Sequence, residues 1–197
     1  MGVQVTIGSR SVERAGEACE KLLAVWPDRN LPLHAGDNAT AAAADIVVVA
    51  TPWDGAGPTA MTVADALEGK VVISMANALA RVGKEFQPLV PPRGSVAAHV
   101  QALVPRCLVV AAFHHLPARE LGAIDHPLDA DVLICSDHPE ATAAASELTE
   151  LMPGLRPLDA GSLSNALAIE AMTAVLLQLN GRYKTRAALR ITGVDPA

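Results

Sequence analysis

The sequence predicts an α/β fold built on a doubly wound, mostly parallel sheet. Apolar runs of strand length alternate with helical patterns along the chain, as repeated βα units require. Of the 197 residues 51% are hydrophobic but only 3% are aromatic, which favours close packing of helices on a sheet. A chain of this length buries roughly 70% of its unfolded surface, so we expect a sizeable core.

Six apolar runs are predicted to be strands, at residues 3–7, 45–52, 71–77, 107–117, 131–137 and 155–161. The run DIVVVATP at 45–52 is apolar on both faces, as a buried parallel strand is. Helices are predicted from the capping residue Ser11 to near residue 27, and over 61–67, 95–104, 139–152 and 164–180. The last helix is apolar nearly all round, which indicates burial in a core or at a subunit interface.

Composition disfavours several classes of protein. The net charge of −6 and the lack of a basic block argue against a nucleic-acid surface. No apolar run approaches the ~20 residues of a membrane-spanning helix and no signal peptide is evident, so we expect a cytoplasmic protein. Three scattered cysteines and six histidines show no ligand spacing, so no metal site is expected. Cys107 and Cys135 border apolar runs and are predicted to be core residues.

Ligands of open parallel sheets bind outside the carboxyl ends of the strands. The first such end carries Ser9, Arg10 and Arg14, which can converge on a phosphate at a helix start. The alternative is a capped helix with two solvated arginines. Because no acidic residue stands where an unphosphorylated ribose would be held, the pattern favours NADP over NAD.

Two further strand ends leave alternatives open. Trp53 either covers the end of the sheet or forms the wall of a nucleotide pocket. Of His114 and His115, one is expected to be a hydrogen-bonded structural residue and the other to meet a ligand. Asp159 is a weaker candidate, because an Asp near a turn more often binds local backbone amides. A nucleophile elbow, a P-loop and a hydrolytic carboxylate pair are all lacking.

Taken together, these segments resemble the NADPH-dependent coenzyme F420 reductases. The resemblance rests on IGSRSVERA, VVVATPWDGA, VVISMANAL, VVAAFHHLPA, LRPLDAGSLSNA and NGRYKTRAALRITG, in that order over essentially the whole chain. It implies a Rossmann-like NADP-binding domain over residues 1–162. It also implies a C-terminal helical segment over 163–197 that contributes to the F420 site, a dimer interface or both.

The resemblance implies an oxidoreductase that moves a hydride between C4 of NADPH and C5 of coenzyme F420, as a cytoplasmic homodimer. Hydride transfer between two bound cofactors needs little side-chain chemistry, so no catalytic residue is assigned. His114 and His115 are considered as orienting or proton-donating groups. The cofactor-binding residues that it implies are Ser9, Arg10, Arg14, Thr51, Pro52, Trp53, Met75, Ala76, Asn77, His114, His115, Leu116 and Pro117.

The chain departs from that family at its front. Family members begin with a strand and a GxGxxG loop that holds the pyrophosphate, whereas this sequence opens on the second strand. We therefore expect an N-terminally truncated fold and weak NADPH binding by the 197-residue form. Three explanations are considered: a start within a longer polypeptide, which is favoured; closure of the sheet by re-pairing; and a strand supplied by a partner.

Two other functions remain open at this point. One is an NADPH-dependent reductase that acts on another acceptor, such as a flavin, an imine or a ketone. The other is a binding or regulatory module that holds F420 without redox turnover.

Overall fold

The structure, a computed structural model, describes residues 3–194. Its strands are β1 (Val5–Ser9), β2 (Leu33–Asp37), β3 (Ile46–Val49), β4 (Val71–Ser74), β5 (Leu79–Val82), β6 (Glu85–Pro88), β7 (Leu108–Ala111), β8 (Ala130–Ser136) and β9 (Leu155–Asp159). Its α-helices are α1 (Val12–Val25), α2 (Asn38–Ala41), α3 (Trp53–Thr62), α4 (Ala64–Leu67), α5 (Val96–Leu103), α6 (Ala118–Leu121), α7 (Pro139–Glu150) and α8 (Ala166–Tyr183). The predicted units cover residues 1–162 and 163–197. Their outer ends, residues 1–2 and 195–197, lie outside the described residues.

A five-stranded sheet with the order β3-β4-β7-β8-β9 forms the centre of the fold. Its pairs are parallel except β7 with β8, which is antiparallel. The predicted α/β class with a mostly parallel sheet is therefore confirmed. The expected strands at 71–77, 107–117, 131–137 and 155–161 are all present; β8 is as long as its run but begins one residue earlier, and the other three are shorter than their runs.

Two hydrophobic cores lie on opposite faces of this sheet. On β7, Val109 belongs to the core that α3, α5 and α8 cover, and its neighbour Val110 belongs to the core under α7. On β8, Cys135 and Ile134 divide in the same way. Because successive side chains of a strand point to opposite faces, a continuous apolar run supplies both cores at once.

The sequence reading missed three strands. LHAGD forms β2, which pairs in parallel with β1, and residues 79–88 form the antiparallel hairpin β5–β6. Only one residue of β2, Gly36, is buried, and β6 is exposed throughout. Strands that bury so little lack the apolar run on which a sequence-based prediction depends. The stretch predicted as one helix at 61–67 is instead the end of α3 followed by the single turn α4.

β1 and β2 form a sheet of their own, separated from β3 by a cleft of about 430 Å³. β1 and β3 both line this cleft, together with Val63, Leu67 and Leu148. Val5 donates its N–H to Pro32 beside β2, so by alternation the N–H of Thr6 points away from β2. Within residues 3–194 the two edges do not pair with each other, so the structure does not show closure by re-pairing.

The segment after α8 returns to the sheet at Asp131 on β8. The Asp131 carboxylate, which is fully buried, accepts hydrogen bonds from Nε and Nη2 of Arg156, both at 2.8 Å. It also accepts from Arg190 Nη1 at 3.1 Å and from the Ile191 N–H at 2.6 Å. The Asp131 N–H in turn donates to the Leu189 carbonyl at 2.8 Å. This network attaches the C-terminal segment to the sheet.

Candidate functional site

A pocket of about 820 Å³ opens where β1 and β3 end. Four of the predicted cofactor-binding residues line it: Ser9, Arg10, Thr51 and Pro52. The two strands belong to different sheets, yet their carboxyl ends meet at this edge, as the rule for open parallel sheets anticipates. The structure therefore brings together two segments that lie more than 40 residues apart in the sequence.

Glycine allows the close approach of elements at this edge. A Cβ on Gly8 of β1 would lie 2.6 Å from the Cβ of Ala41 on α2, and one on Gly36 of β2 would lie 2.8 Å from the Thr40 side chain. Separations under 3.0 Å are not tolerated between side chains, so larger residues would push α2 away from the strands. The short helix that borders the pocket thus depends on glycines in both strands.

The N-terminus of α1 is capped locally. The Ser11 Oγ accepts the N–H of Arg14 at 3.4 Å, and the Ser11 hydroxyl donates to Glu13. In the part of the chain that the structure describes, the exposed guanidinium groups of Arg10 and Arg14 make no hydrogen bond or ion pair. Arg10 lines the pocket, but Arg14 does not. The arginine at the strand end is thus the one available to a ligand in the pocket.

Sequence reasoning missed an acidic residue in this pocket. Asp37 ends β2 and caps α2, where Oδ1 accepts the N–H and the hydroxyl of Thr40, both at 2.7 Å. These two bonds lower the pKa of Asp37 below its ordinary value. An Asp followed three residues later by a Thr is a cap signal, but it was overlooked because β2 itself was not predicted.

Trp53 does not line the pocket. It begins α3 and lies half-buried against the core on that face of the sheet, directly after Pro52. This position favours the alternative in which the indole covers the end of the sheet. The neighbouring Thr51 lies in the pocket, and its buried hydroxyl has no partner within residues 3–194.

A second group of predicted residues gathers where β4 and β7 end. Asn77 Nδ2 donates to the backbone carbonyl of His114 at 2.9 Å, which joins the two strand ends directly. Thr173, on α8, adds its hydroxyl at 3.1 Å from the same carbonyl and 3.1 Å from Asn77 Oδ1. Phe113, just before this carbonyl, has a positive φ of 67°, a conformation that costs of order 1–3 kcal/mol for a bulky residue. Such strain persists only where the surroundings hold it.

The flanking residues of this group are less exposed than a ligand surface requires. Ala76 is buried, and Met75 and Leu116 pack against the core under α7. Pro117 is half-buried at the start of α6. These four residues therefore pack within the segment, and the polar contact there comes from Asn77.

The two adjacent histidines differ in their surroundings. His115 Nε2 donates to the Asp131 carbonyl at 2.9 Å, which makes it the hydrogen-bonded member of the pair. Both ring nitrogens of His114 lack a hydrogen-bond partner within the described chain, and its side chain is fully buried. Burial lowers the pKa of His114 to about 3, with a smaller effect from His115. With that pKa this imidazole is uncharged near neutral pH, and its orienting or proton-donating role stays a prediction.

Glu170 is a buried carboxylate that the sequence reading did not single out. It lies on α8, and its two oxygens accept the N–H groups of Val96 and Ala97 at 2.8 and 3.1 Å. Burial raises the pKa of Glu170 to about 7, although both hydrogen bonds act in the opposite direction. Glu170 Oε1 lies 4.0 Å from His114 Nε2, a contact that is not an ion pair at neutral pH because the ring is uncharged. The available signal was a lone Glu in the apolar run AIEAMTAVLL.

The cysteines and Asp159, the other residues considered from the sequence, have local structural contacts. Cys107 and Cys135 are core residues, as predicted, and burial raises the pKa of both thiols, that of Cys135 to about 11. Asp159 accepts the N–H of Gly161 at 2.8 Å, the local turn contact anticipated for it. Among residues 3–194 no group of three or more His, Cys, Asp or Glu side chains is arranged to hold a metal ion. None of the described helices has the length and hydropathy needed to cross a membrane.

An α/β fold with a pocket at the carboxyl ends of its parallel strands, and an unpaired arginine in that pocket, defines a nucleotide-binding protein of the Rossmann-like class. Residues 1–78 match the profile of a family described as NADP oxidoreductase, coenzyme F420-dependent. The F420-dependent NADP reductase of Methanocaldococcus jannaschii is 32% identical over 198 residues, which is 98% of this chain and 89% of that protein. The reductase of the same name from Methanothermobacter thermautotrophicus is 33% identical over 199 residues, 98% of this chain and 86% of that protein.

The chain belongs to the family of F420-dependent NADP reductases, which are oxidoreductases. The fold agrees: the crystal structure of a candidate F420-dependent NADP reductase from Arthrobacter sp. FB24 superposes with a TM-score of 0.79. It is 24% identical, and the match covers 97% of this chain and 89% of that one. The family resemblance stated from the sequence is thus confirmed.

Proposed function

We propose that this protein transfers a hydride between NADPH and coenzyme F420. The observation that carries the proposal is the pocket that joins Ser9 and Arg10 to Thr51 and Pro52 in a member of this family. Two groups of this pocket suit a dinucleotide phosphate: within residues 3–194 the Arg10 guanidinium and the buried Thr51 hydroxyl have no partner, although Asp37 and Asp54 also line the pocket. Arg10 is proposed to bind the 2′-phosphate, and Arg14 to add a second positive charge one helical turn away.

The second part of the proposal assigns the meeting of the two ring systems to the ends of β4 and β7. Support comes from the hydrogen bond between Asn77 and the His114 carbonyl, and from the strained backbone held beside it. When both cofactors are bound, a hydride passes between C4 of the nicotinamide and C5 of the deazaflavin. The chain's own residues bind and orient the two rings and keep water from them, which is most of what such a reaction asks of a protein.

We further propose that residues up to 162 form the NADP-binding unit and that the following segment serves the F420 site and a homodimer interface. Val175, Leu179 and Tyr183 are exposed at successive helical turns of α8. An apolar stripe of this kind on a surface helix supports a subunit contact. We expect the dimer to work in the cytoplasm, where both cofactors are soluble.

The proposed function is tested by mixing the 197-residue protein with NADPH and F420 and following the loss of the deazaflavin's visible absorption. NADPH and NADH binding are measured separately, because weak NADPH binding was expected from the sequence. Parallel reactions with a flavin, an imine and a ketone separate this function from that of a reductase for another acceptor. Turnover of those acceptors with no turnover of F420 would refute the proposal.

The reading of the 2′-phosphate is tested by Arg10→Ala. A hydrogen bond to a charged group is worth about 1.5–3 kcal/mol, so NADPH binding should weaken by roughly tenfold or more while NADH binding is unchanged. Arg81→Ala, which removes an exposed arginine on β5 far from the pocket in sequence, is the matched control. Equal weakening of both dinucleotides would contradict the assigned role.

A further inference from the structure

We propose that Glu170 is a positioning residue that fixes the segment after β7 relative to α5. This inference rests on the proposed function, because that segment is where the two rings are proposed to meet. The carboxylate contacts both elements: it accepts two N–H groups from the first turn of α5 and lies 4.0 Å from the His114 ring. One helical turn further along α8, Thr173 holds the His114 carbonyl at 3.1 Å.

Helix α8 therefore meets His114 at two points: a hydrogen bond from Thr173 to the carbonyl, and a packing contact of Glu170 with the ring. Residues three apart lie on the same helical face, so Glu170 faces the ring while Thr173 faces the backbone of one residue. Phe113, which precedes it, is held at positive φ. The hydrogen bond and the packing contact from one helix help to hold the strained backbone at this strand end.

Burying a carboxylate here costs free energy unless its oxygens accept hydrogen bonds. Glu170 is 3% exposed, and it lies in a helix whose other buried residues are apolar. The Ser95 side chain already caps α5 by accepting the Ala98 N–H at 3.0 Å. Glu170 thus supplies acceptors for the two free N–H groups that precede Ala98, those of Val96 and Ala97, and it joins α5 to α8.

The titration of Glu170 can be distinguished from that of its ionisable neighbours, because their pKa values differ. His114 has its pKa lowered to about 3 by burial, so it stays neutral near pH 7. Cys135 has its pKa raised to about 11 by burial, with smaller effects from Asp159 and Glu170. Glu170, with its pKa raised to about 7, is then the group of this set that changes charge near neutrality.

The first experiment follows backbone amide resonances of the cofactor-free protein by NMR between pH 5.5 and 8.5, a range of about 1.5 units either side of that pKa. The amides of Val96 and Ala97 should titrate with a midpoint near 7 in the wild type and lose that titration in Glu170→Gln. The amides of residues 113–116 should shift in the same variant. Glu147→Gln, at an exposed position of α7, is the matched control and should leave all of these resonances unchanged.

The second experiment measures steady-state kinetics with NADPH and F420. Glu170→Gln should lower kcat on the order of tenfold, while KM for either substrate changes less than about twofold, because misplacement of a bound ring costs rate more than affinity. Thr173→Val removes the hydrogen bond to the His114 carbonyl and should also lower kcat. A rise in KM with kcat unchanged would overturn the proposal.

The two experiments distinguish this inference from the proposed function. The NMR comparison needs no cofactor, so unshifted amides at 96–97 or at 113–116 in Glu170→Gln overturn the role of Glu170 whatever the enzyme reduces. Shifted amides in a protein that does not reduce F420 would refute the proposed function alone. If Glu170→Gln does not fold, Thr173→Val still decides the outcome.

Discussion

Asp131 offers the clearest test of how this fold holds its C-terminal segment. Its carboxylate is fully buried and faces the Arg156 guanidinium, whose side chain is 15% exposed, through two bonds of 2.8 Å. Removing one partner of a buried pair costs about 3–5 kcal/mol, because the other charge is left uncompensated. Asp131→Asn keeps one oxygen acceptor, and Arg156 retains some contact with water. We therefore expect a loss in the free energy of unfolding of about 3 kcal/mol, at the lower end of this range.

The loss is measured by urea unfolding of wild type and Asp131→Asn, with Asp129→Asn as the control. Asp129 also pairs with Arg190, at 3.2 Å, but its side chain is 84% exposed. An exposed pair contributes about 0–1 kcal/mol, so the control should unfold like the wild type. A loss under about 1 kcal/mol for Asp131→Asn, or equal losses for both variants, would refute the role given to the buried pair.

The same pair predicts a pH dependence. Hydrogen bonding to Arg156 is the largest of the effects that hold the pKa of Asp131 below its ordinary value. A carboxylate with a lowered native pKa stabilises the fold at pH above its unfolded value of 3.8, and that contribution is lost as the pH falls through the native value. The difference between wild type and Asp131→Asn should therefore shrink as the pH falls below about 4. A difference that stays constant down to the acid transition would contradict this account.

Two further predictions concern the loop before β9 and the exposed face of α8. Gly154 has φ of +88°, and an added Cβ would lie 2.9 Å from the Leu128 carbonyl oxygen, so Gly154→Ala should lower the free energy of unfolding by about 1–3 kcal/mol. Thermal unfolding checks this, with Gly16→Ala in α1 as a control because a Cβ there meets nothing within 4 Å. Val175, 57% exposed on α8, belongs to the proposed dimer stripe, so Val175→Asp should convert the dimer to a monomer in light scattering coupled to gel filtration. A monomeric wild type, or a variant that stays dimeric, would contradict the proposed interface.

The strands that bury residues on both faces were predicted well from the sequence. β4 and β7 lie inside the apolar runs that predicted them, because such runs are rare outside a covered sheet, and β8 is displaced from its run by one residue. The cap at Ser11 was also predicted from the sequence, since a side-chain oxygen one residue before a helix acts locally. Strands β2, β5 and β6 were missed because their pairing partners, and not their own hydrophobicity, determine them.

The site could be predicted only in part. The rule that strand ends collect at one edge led to Ser9, Arg10, Thr51 and Pro52, which the structure brings into one pocket. Arg14 and Trp53 were predicted beside them but do not line that pocket. Proximity in the sequence could not show that Arg14, on α1, lies outside the pocket or that Trp53 packs against the core.

The sequence by itself determined the α/β class and the edge of the sheet at which ligands are expected, because periodicity and strand-end residues are local properties. It also indicated the family, through the resemblance of six segments in order along the chain. Only the tertiary structure shows how the surroundings of the two adjacent histidines differ. His115 bonds to β8 and His114 is enclosed without a partner, since residues more than 15 positions away form their surroundings. The same holds for Glu170. The sequence shows only a lone carboxylate in an apolar helix, and the fold brings two amides of α5 and the His114 ring to it.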